Sequence, residues 1–204
     1  MTEDTSNLTL EQKVDLLMAE RDKLQRLLDQ RDIRDVIARY SRAAERADVD
    51  LFKSCFHPDA IDHHPPYFEG TIEDFCREAF EKTAQAIAER SQYFLDTISI
   101  EFDGDTAYTE THGLSPKLLH ERSYNGNRIM QWGGIRYLHR FEKRDGVWKI
   151  SEVWFIPEWS MYHDVQPQTV PIGIFTPPTE NSMKPFPSLR NKEDLSYTFG
   201  RTTK

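Results

Sequence analysis

Up to Arg90 the apolar side chains recur at helical intervals, and beyond it they alternate with polar ones. Thr9-Leu10-Glu11-Gln12 has the form of a capping box opening a helix. Leu10, Leu17 and Leu24 follow at every seventh position, with Val14 and Leu28 alongside, and no glycine precedes Gly70. This stripe fits either packing on its own domain or a subunit contact. The period resumes with Ile33, Val36, Ile37 and Tyr40, which predicts a second helix to about Arg46. A short helix is expected over Val49–Cys55, a turn at Pro58-Asp59, and a strand over Ala60–His64 stopped by Pro65-Pro66. Thr71-Ile72-Glu73-Asp74 caps another helix, with Ile72, Phe75, Cys76, Ala79, Phe80 and Ile87 on one face.

Four strands are predicted beyond Arg90, over Tyr93–Phe102, Thr106–Leu119, Ile129–Lys143 and Val147–Ile156. Asp103-Gly104 and Asp145-Gly146 join two pairs of them as hairpins. Gly133-Gly134 reads as a bulge that lets the sheet curl. Helices followed by a strand meander imply an α+β fold with a curved, mostly antiparallel sheet. The stretch from Pro157 to the end holds seven of the eleven prolines but also Trp159, Met161, Tyr162, Ile172, Ile174, Phe175 and Phe186. That apolar content predicts a tail wrapped over its own or a neighbouring subunit. The expected organisation is a helical extension over 1–31, one domain over 32–160 and a tail over 161–204.

Composition narrows the function. A chain that is 38% hydrophobic and 12% aromatic can bury a core, while its net charge of −8 repels a phosphate backbone and argues against nucleic acid. Mean hydropathy of −0.69 leaves no membrane span. Cys55 and Cys76 form neither a disulfide framework nor a zinc spacing, and the acidic start lacks an apolar leader, so a cytoplasmic location is expected. No dinucleotide, P-loop or paired CxxC motif is present, so no cofactor is expected.

Particular residues then carry a resemblance. Ile33-Arg34-Asp35-Val36-Ile37-Ala38-Arg39-Tyr40, Arg46-Ala47-Asp48 and Phe56-His57-Pro58-Asp59-Ala60 resemble the opening of SnoaL-like domains. The likeness continues at Phe102-Asp103-Gly104-Asp105-Thr106-Ala107, Arg136-Tyr137, Arg144 to Ile150, Glu158-Trp159 and Glu193 to Tyr197. It implies the nuclear transport factor two-like fold, a cone of helices on a curved sheet enclosing one pocket. Related enzymes are cofactor-free: scytalone dehydratase and bile-acid dehydratase use a His–Asp pair, often with a tyrosine, and other members release formaldehyde from diaryl diols. By that resemblance Tyr40 falls on the family tyrosine. Glu45 stands where the aspartate belongs, Tyr93 where the histidine belongs, and Val153 where an arginine often sits.

The candidate catalytic residues are therefore Tyr40, Glu45, His64 and Tyr93. Glu45, raised in pKa by burial, could act as base. Tyr40 and Tyr93 offer two phenols to an oxygen that gains negative charge. His63 and His64 point to opposite sides of a strand, and the resemblance turns Asp62 and His64 inward, which makes His64 the rival base. His57, Asp62 and His64 are the only metal set weighed, and no metal is expected. Arg136, His112, Trp132 and Trp154 are candidate substrate contacts. The expected function is a cofactor-independent lyase, eliminating water or formaldehyde from a hydroxylated aromatic or polycyclic molecule. A non-catalytic binding module and a ketosteroid-type isomerase remain open, as does a homo-oligomer with a trimer favoured over a dimer.

Overall fold

The computed structural model describes residues 8–78, 80, 87–123, 125–165, 189, 191–197 and 199. Helix α1 runs unbroken over Leu10–Arg46, where the sequence suggested two helices. Its start is the expected capping box: Thr9 accepts from the Gln12 N–H at 3.2 Å, and the Gln12 side chain accepts from the Thr9 N–H at 2.9 Å. It ends at Ala47, which adopts a left-handed conformation with φ of 51°. Between the two apolar periods α1 docks on the sheet. Asp29 is buried and accepts from Lys143 Nζ at 2.8 Å, Trp148 Nε1 at 2.9 Å and Gln25 Nε2 at 3.1 Å. Burial alone would raise its carboxyl, but those donors outweigh it and hold the pKa below the usual range.

From Ile33 onward α1 buries Ile33, Val36, Ile37, Tyr40, Ala43 and Ala44 against the sheet. Each large aliphatic side chain removed from water in this way contributes roughly 1.5–3 kcal/mol. A surface ion pair such as Lys23–Glu20 contributes about 0–1 kcal/mol, so apolar burial sets the helix's position. Helix α2 (Val49–Ser54) is capped by Asp48, and α3 (Ile72–Phe75) by Thr71 as expected. Of the face predicted for the latter region, Ile72, Phe75, Cys76 and Phe80 are buried, Ile87 is exposed, and Ala79 lies outside the described residues.

The strands are β1 (Phe56–His64), β2 (Phe68–Thr71), β3 (Ala88–Ser91), β4 (Phe94–Asp103), β5 (Thr106–Leu114), β6 (Lys117–Arg122), β7 (Arg128–Arg144) and β8 (Val147–Val165). They form one curved sheet in the order β2-β1-β8-β7-β5-β4, with β6 pairing β3 and the start of β7. Among the described residues β1 and β8 pair in parallel and all other neighbours are antiparallel.

Three expectations about strands change. β1 begins four residues earlier than predicted, its register slipping between Phe56 and Ile61 around Pro58, which cannot donate to a ladder. The single strand predicted over Thr106–Leu119 breaks at Ser115-Pro116, and β6 then pairs the unforeseen β3. β8 continues past Ile156 to Val165, because the start of β7 gives it a partner as far as Arg128. The glycine doublet does mark a bulge, but the extra residue is Glu158 on β8, opposite it. Gly134 is required there: a Cβ would stand 2.1 Å from the Trp159 indole.

The segment 191–197 returns to the end of α1. Tyr197 donates to Asp48 at 2.7 Å, Arg42 lies over the Tyr197 ring at 4.7 Å, and Arg46 faces Asp194 at 3.5 Å. Ile172, Ile174, Phe175 and Phe186 lie outside the described residues, and Trp159 is 47% exposed. Among the described residues no helix is long and apolar enough to cross a membrane.

Asp29→Ala should lower unfolding free energy by about 1–3 kcal/mol, because it strands the Trp148 N–H and the Lys143 ammonium. Asp22→Ala, at an exposed position of the same helix, should change it by less than about 0.5 kcal/mol. Urea unfolding of both variants measures the difference, and equal effects would show that Asp29 does not dock the helix.

Candidate functional site

Alternation along the strands sends every second side chain into the cone. From β7 these are Ile135, Tyr137, His139 and Phe141, all buried. Register places Thr111 of β5 opposite Tyr137, and Tyr137 opposite Phe155 of β8. One step deeper, Thr109 faces His139, His139 faces Val153, and Val153 faces Asp62 of β1. Two inward rows thus cross four strands, with Asp62 and His64 at their β1 end.

Asp62 and His64 are two residues apart and share the inner face, where Asp62 Oδ1 and His64 Nδ1 form a short hydrogen bond. Asp62 is fully buried, while the His64 side chain keeps 14% of its surface. The imidazole is sandwiched between Phe75 and Phe155, each stacked at 4.8 Å. Committing Nδ1–H to the carboxylate leaves the lone pair on Nε2, the form that a general base requires.

The phenols lie deeper. Tyr40 packs edge-on against Tyr137 at 5.4 Å and against His139 at 5.9 Å. Burial, then the neighbouring Tyr137 and Asp62, push the Tyr40 phenol well above its ordinary pKa. Burial and the nearby Tyr93 do the same to Tyr137. Both are therefore neutral donors near pH 7. His139 is fully buried, 3.1 Å from Thr109 Oγ1, and its pKa falls to about 3 through burial and the proximity of His64. Of the two inward imidazoles, His139 stays neutral, and His64 is the one with a carboxylate partner. Among the described residues Asp62 Oδ2, Thr111 Oγ1 and His139 Nε2 are buried without a hydrogen-bond partner. Such groups are costly to leave unmet and supply the polar handles of an otherwise aromatic interior.

The structure brings together Tyr40, His64 and Tyr93 of the predicted residues. Glu45 is placed differently: its Oε1 accepts from the Tyr93 backbone N–H at 2.9 Å and its other oxygen faces Arg46 at 3.9 Å. Arg136 lies on the outer face, because its neighbour Tyr137 points inward, and pairs with Glu158 at 3.1 Å and Glu110 at 3.3 Å. His112 is on that face too, bonded to Glu110 at 3.0 Å. Trp154 is 42% exposed and stacks on His63 at 3.8 Å, so it lines the outside of the sheet. Trp132 is half-buried near the start of β7, opposite Met161. His57 bonds the Glu142 carbonyl at 2.9 Å, away from Asp62 and His64. No cluster of three or more His, Cys, Asp or Glu side chains suited to a metal occurs among the described residues. An open groove of about 610 Å³ between α1 and the β7–β8 turn, lined by Asp32, Asp35, Val36, Arg39, Arg42 and Trp148, contains none of Tyr40, Asp62, His64, Tyr137 or His139.

Tyr137 and His139 were not anticipated as site residues. The Ile135, Tyr137, His139, Phe141 alternation was the signal available for them.

The model of the SnoaL-like domain family matches residues 25–153. No curated protein matches the sequence. Among solved structures, hexachlorocyclohexane dehydrochlorinase LinA type 2 is 16% identical with a TM-score of 0.63, over 72% of this chain and 99% of its own. A protein provisionally assigned as scytalone dehydratase from Novosphingobium aromaticivorans is 18% identical with a TM-score of 0.56, over 74% and 97%. A nuclear transport factor 2-like superfamily protein from Salmonella enterica is 20% identical with a TM-score of 0.52, over 70% and 93%. At these identities the likeness concerns the fold, the cone-shaped α+β architecture of that superfamily.

His139 makes the acid limb of stability testable. An unfolded histidine titrates near 6.5, whereas the folded one does so at about 3, so between these values the unfolded chain binds the extra proton. This group's share of stability is complete above about 6.5 and is lost as pH falls through the window. It should amount to about 2 kcal/mol between pH 7 and pH 5. His139→Gln should remove that part of the slope in urea unfolding at the two pH values; an unchanged slope would mean that His139 is not buried neutral.

Proposed function

Because the chain belongs to the SnoaL-like domain family, we propose that it is a cofactor-independent lyase in which His64 removes a proton from a hydroxylated aromatic or polycyclic molecule. The observation that carries this reading is the buried Asp62–His64 pair facing the inside of the cone. Asp62 holds the imidazole in the tautomer with Nε2 free and stabilises the imidazolium formed when that nitrogen takes the proton. Tyr40 and Tyr137, kept neutral by burial and hydrogen-bonded to one another, form a phenol chain that donates to the oxygen on which negative charge develops. For loss of water, the electron pair left on carbon forms the new double bond as the C–O bond breaks, and the departing oxygen takes the proton back from the His64 imidazolium. For loss of formaldehyde, His64 instead takes the hydroxyl proton, the freed oxygen pair becomes the formaldehyde C=O, and the pair of the broken C–C bond passes into the conjugated system of the substrate. The flat walls offered by Phe75, Phe155 and Tyr137 suit a ring substrate.

The dehydrochlorinase likeness in fold supports an elimination without adding a substrate. In this reading Glu45 is a positioning residue that holds the Tyr93 backbone, since its carboxylate already accepts from that N–H. A second reading, a binding module without turnover, is favoured by one observation: Glu45 and Tyr93 occupy the places where the resemblance puts the family's aspartate and histidine.

With hydroxylated biaryls and steroids as the test panel, His64→Gln should lower kcat by about 10²–10⁴ with little change in binding. Tyr40→Phe should lower kcat by roughly 10²–10³, the scale of one lost oxyanion donor. Glu45→Gln, which keeps an acceptor for the Tyr93 N–H, should stay within about tenfold of the wild type. A crippled Glu45→Gln beside an active His64→Gln would transfer the base role to Glu45. Ligand binding with no turnover by the wild type would favour the binding module.

A further inference from the structure

Before α1 reaches its docking point at Asp29 it presents an apolar stripe that no described residue covers. Leu10 is 80% exposed, Leu17 68%, and Leu24 60%, with Val14, Met18, Leu27 and Leu28 also exposed. Leu10, Val14, Leu17, Leu24 and Leu28, with Arg21 in the one polar place, alternate at three- and four-residue steps as the a and d positions of a heptad repeat. Met18 and Leu27 fall on its e and g flanks, so these exposed apolar side chains border one seam. That seam is about 27 Å long at 1.5 Å per residue.

The pattern has a further property: it reads the same in both directions about Ala19. An antiparallel copy of the helix would set Leu10 against Leu28, Val14 against Leu24, and Leu17 against Arg21. The same layers recur in mirror order, so both chains use the same patch, as a two-fold contact requires. Four layers are wholly aliphatic. In the two that contain Arg21, its guanidinium comes beside Glu20 of the other copy, and its stem covers Leu17. A parallel pair would instead put two Arg21 charges face to face, which is destabilising.

We propose that residues 10–28 form an antiparallel two-helix seam with a second copy of this chain, making the protein a two-fold dimer or an assembly of such dimers. This is independent of the chemistry assigned to the cone. It differs from the trimer expected from the sequence, because a two-fold seam closes with two chains.

Light scattering of the full chain at micromolar concentration should give an even number of chains. Leu17→Glu with Leu24→Glu should halve that mass while leaving far-UV circular dichroism unchanged, because both side chains are exposed in the folded chain. Val14→Cys with Leu24→Cys should form interchain disulfides on mild oxidation, whereas Val14→Cys alone should form none, its two copies lying about 15 Å apart along the seam. The native Cys55 and Cys76 are buried and serve as the unmodified background. A wild type of one or three chains, an unchanged mass in the double glutamate variant, or ready crosslinking of Val14→Cys alone would each overturn the proposal.

Discussion

A carboxylate and an imidazole two residues apart on one strand must share a face, and the site depends on that constraint. Asp62 and His64 meet because β1 is extended there, and they face the cone because β1 pairs with β8 in the register that sets Asp62 against Val153. Slipping that register by one residue would put His63 inside and expose the pair. The bond also needs enclosure. Phe75 and Phe155 clamp the imidazole from both sides, so it cannot rotate away from the carboxylate without losing two ring stacks.

The same low-dielectric interior separates the roles of the two histidines. His139, deeper and without a carboxylate partner, loses its affinity for a proton, while His64 has Asp62 to stabilise a positive charge. The phenols of Tyr40 and Tyr137 are driven the other way, toward holding their protons. One environment therefore holds a carboxylate-paired imidazole at the partly exposed end and neutral phenols beneath it.

Much of the fold could be read from the sequence because its signals are local. The Thr9 capping box, the Thr71 cap, the Asp145-Gly146 turn with both residues at positive φ, and the change of period after Arg90 each act within a few residues. What escaped was set by partners distant in sequence. β8 continues to Val165 only because β7 begins at Arg128, and α1 stays whole because Asp29 meets Trp148 and Lys143. Within the cone, the resemblance implied that Asp62 and His64 share the inner face, and they do. The resemblance drew attention to Glu45 and Arg136 by position alone. Their side chains instead hold a backbone N–H and an outer-face ion-pair network.

The most direct test of the central claim needs no substrate. Nitrogen-15 NMR of the histidine rings at neutral pH reports which nitrogen of His64 carries its proton. The account predicts an Nδ1–H tautomer for neutral His64 and loss of that preference in Asp62→Asn. A His64 ring protonated on Nε2, or one indifferent to Asp62→Asn, would contradict it.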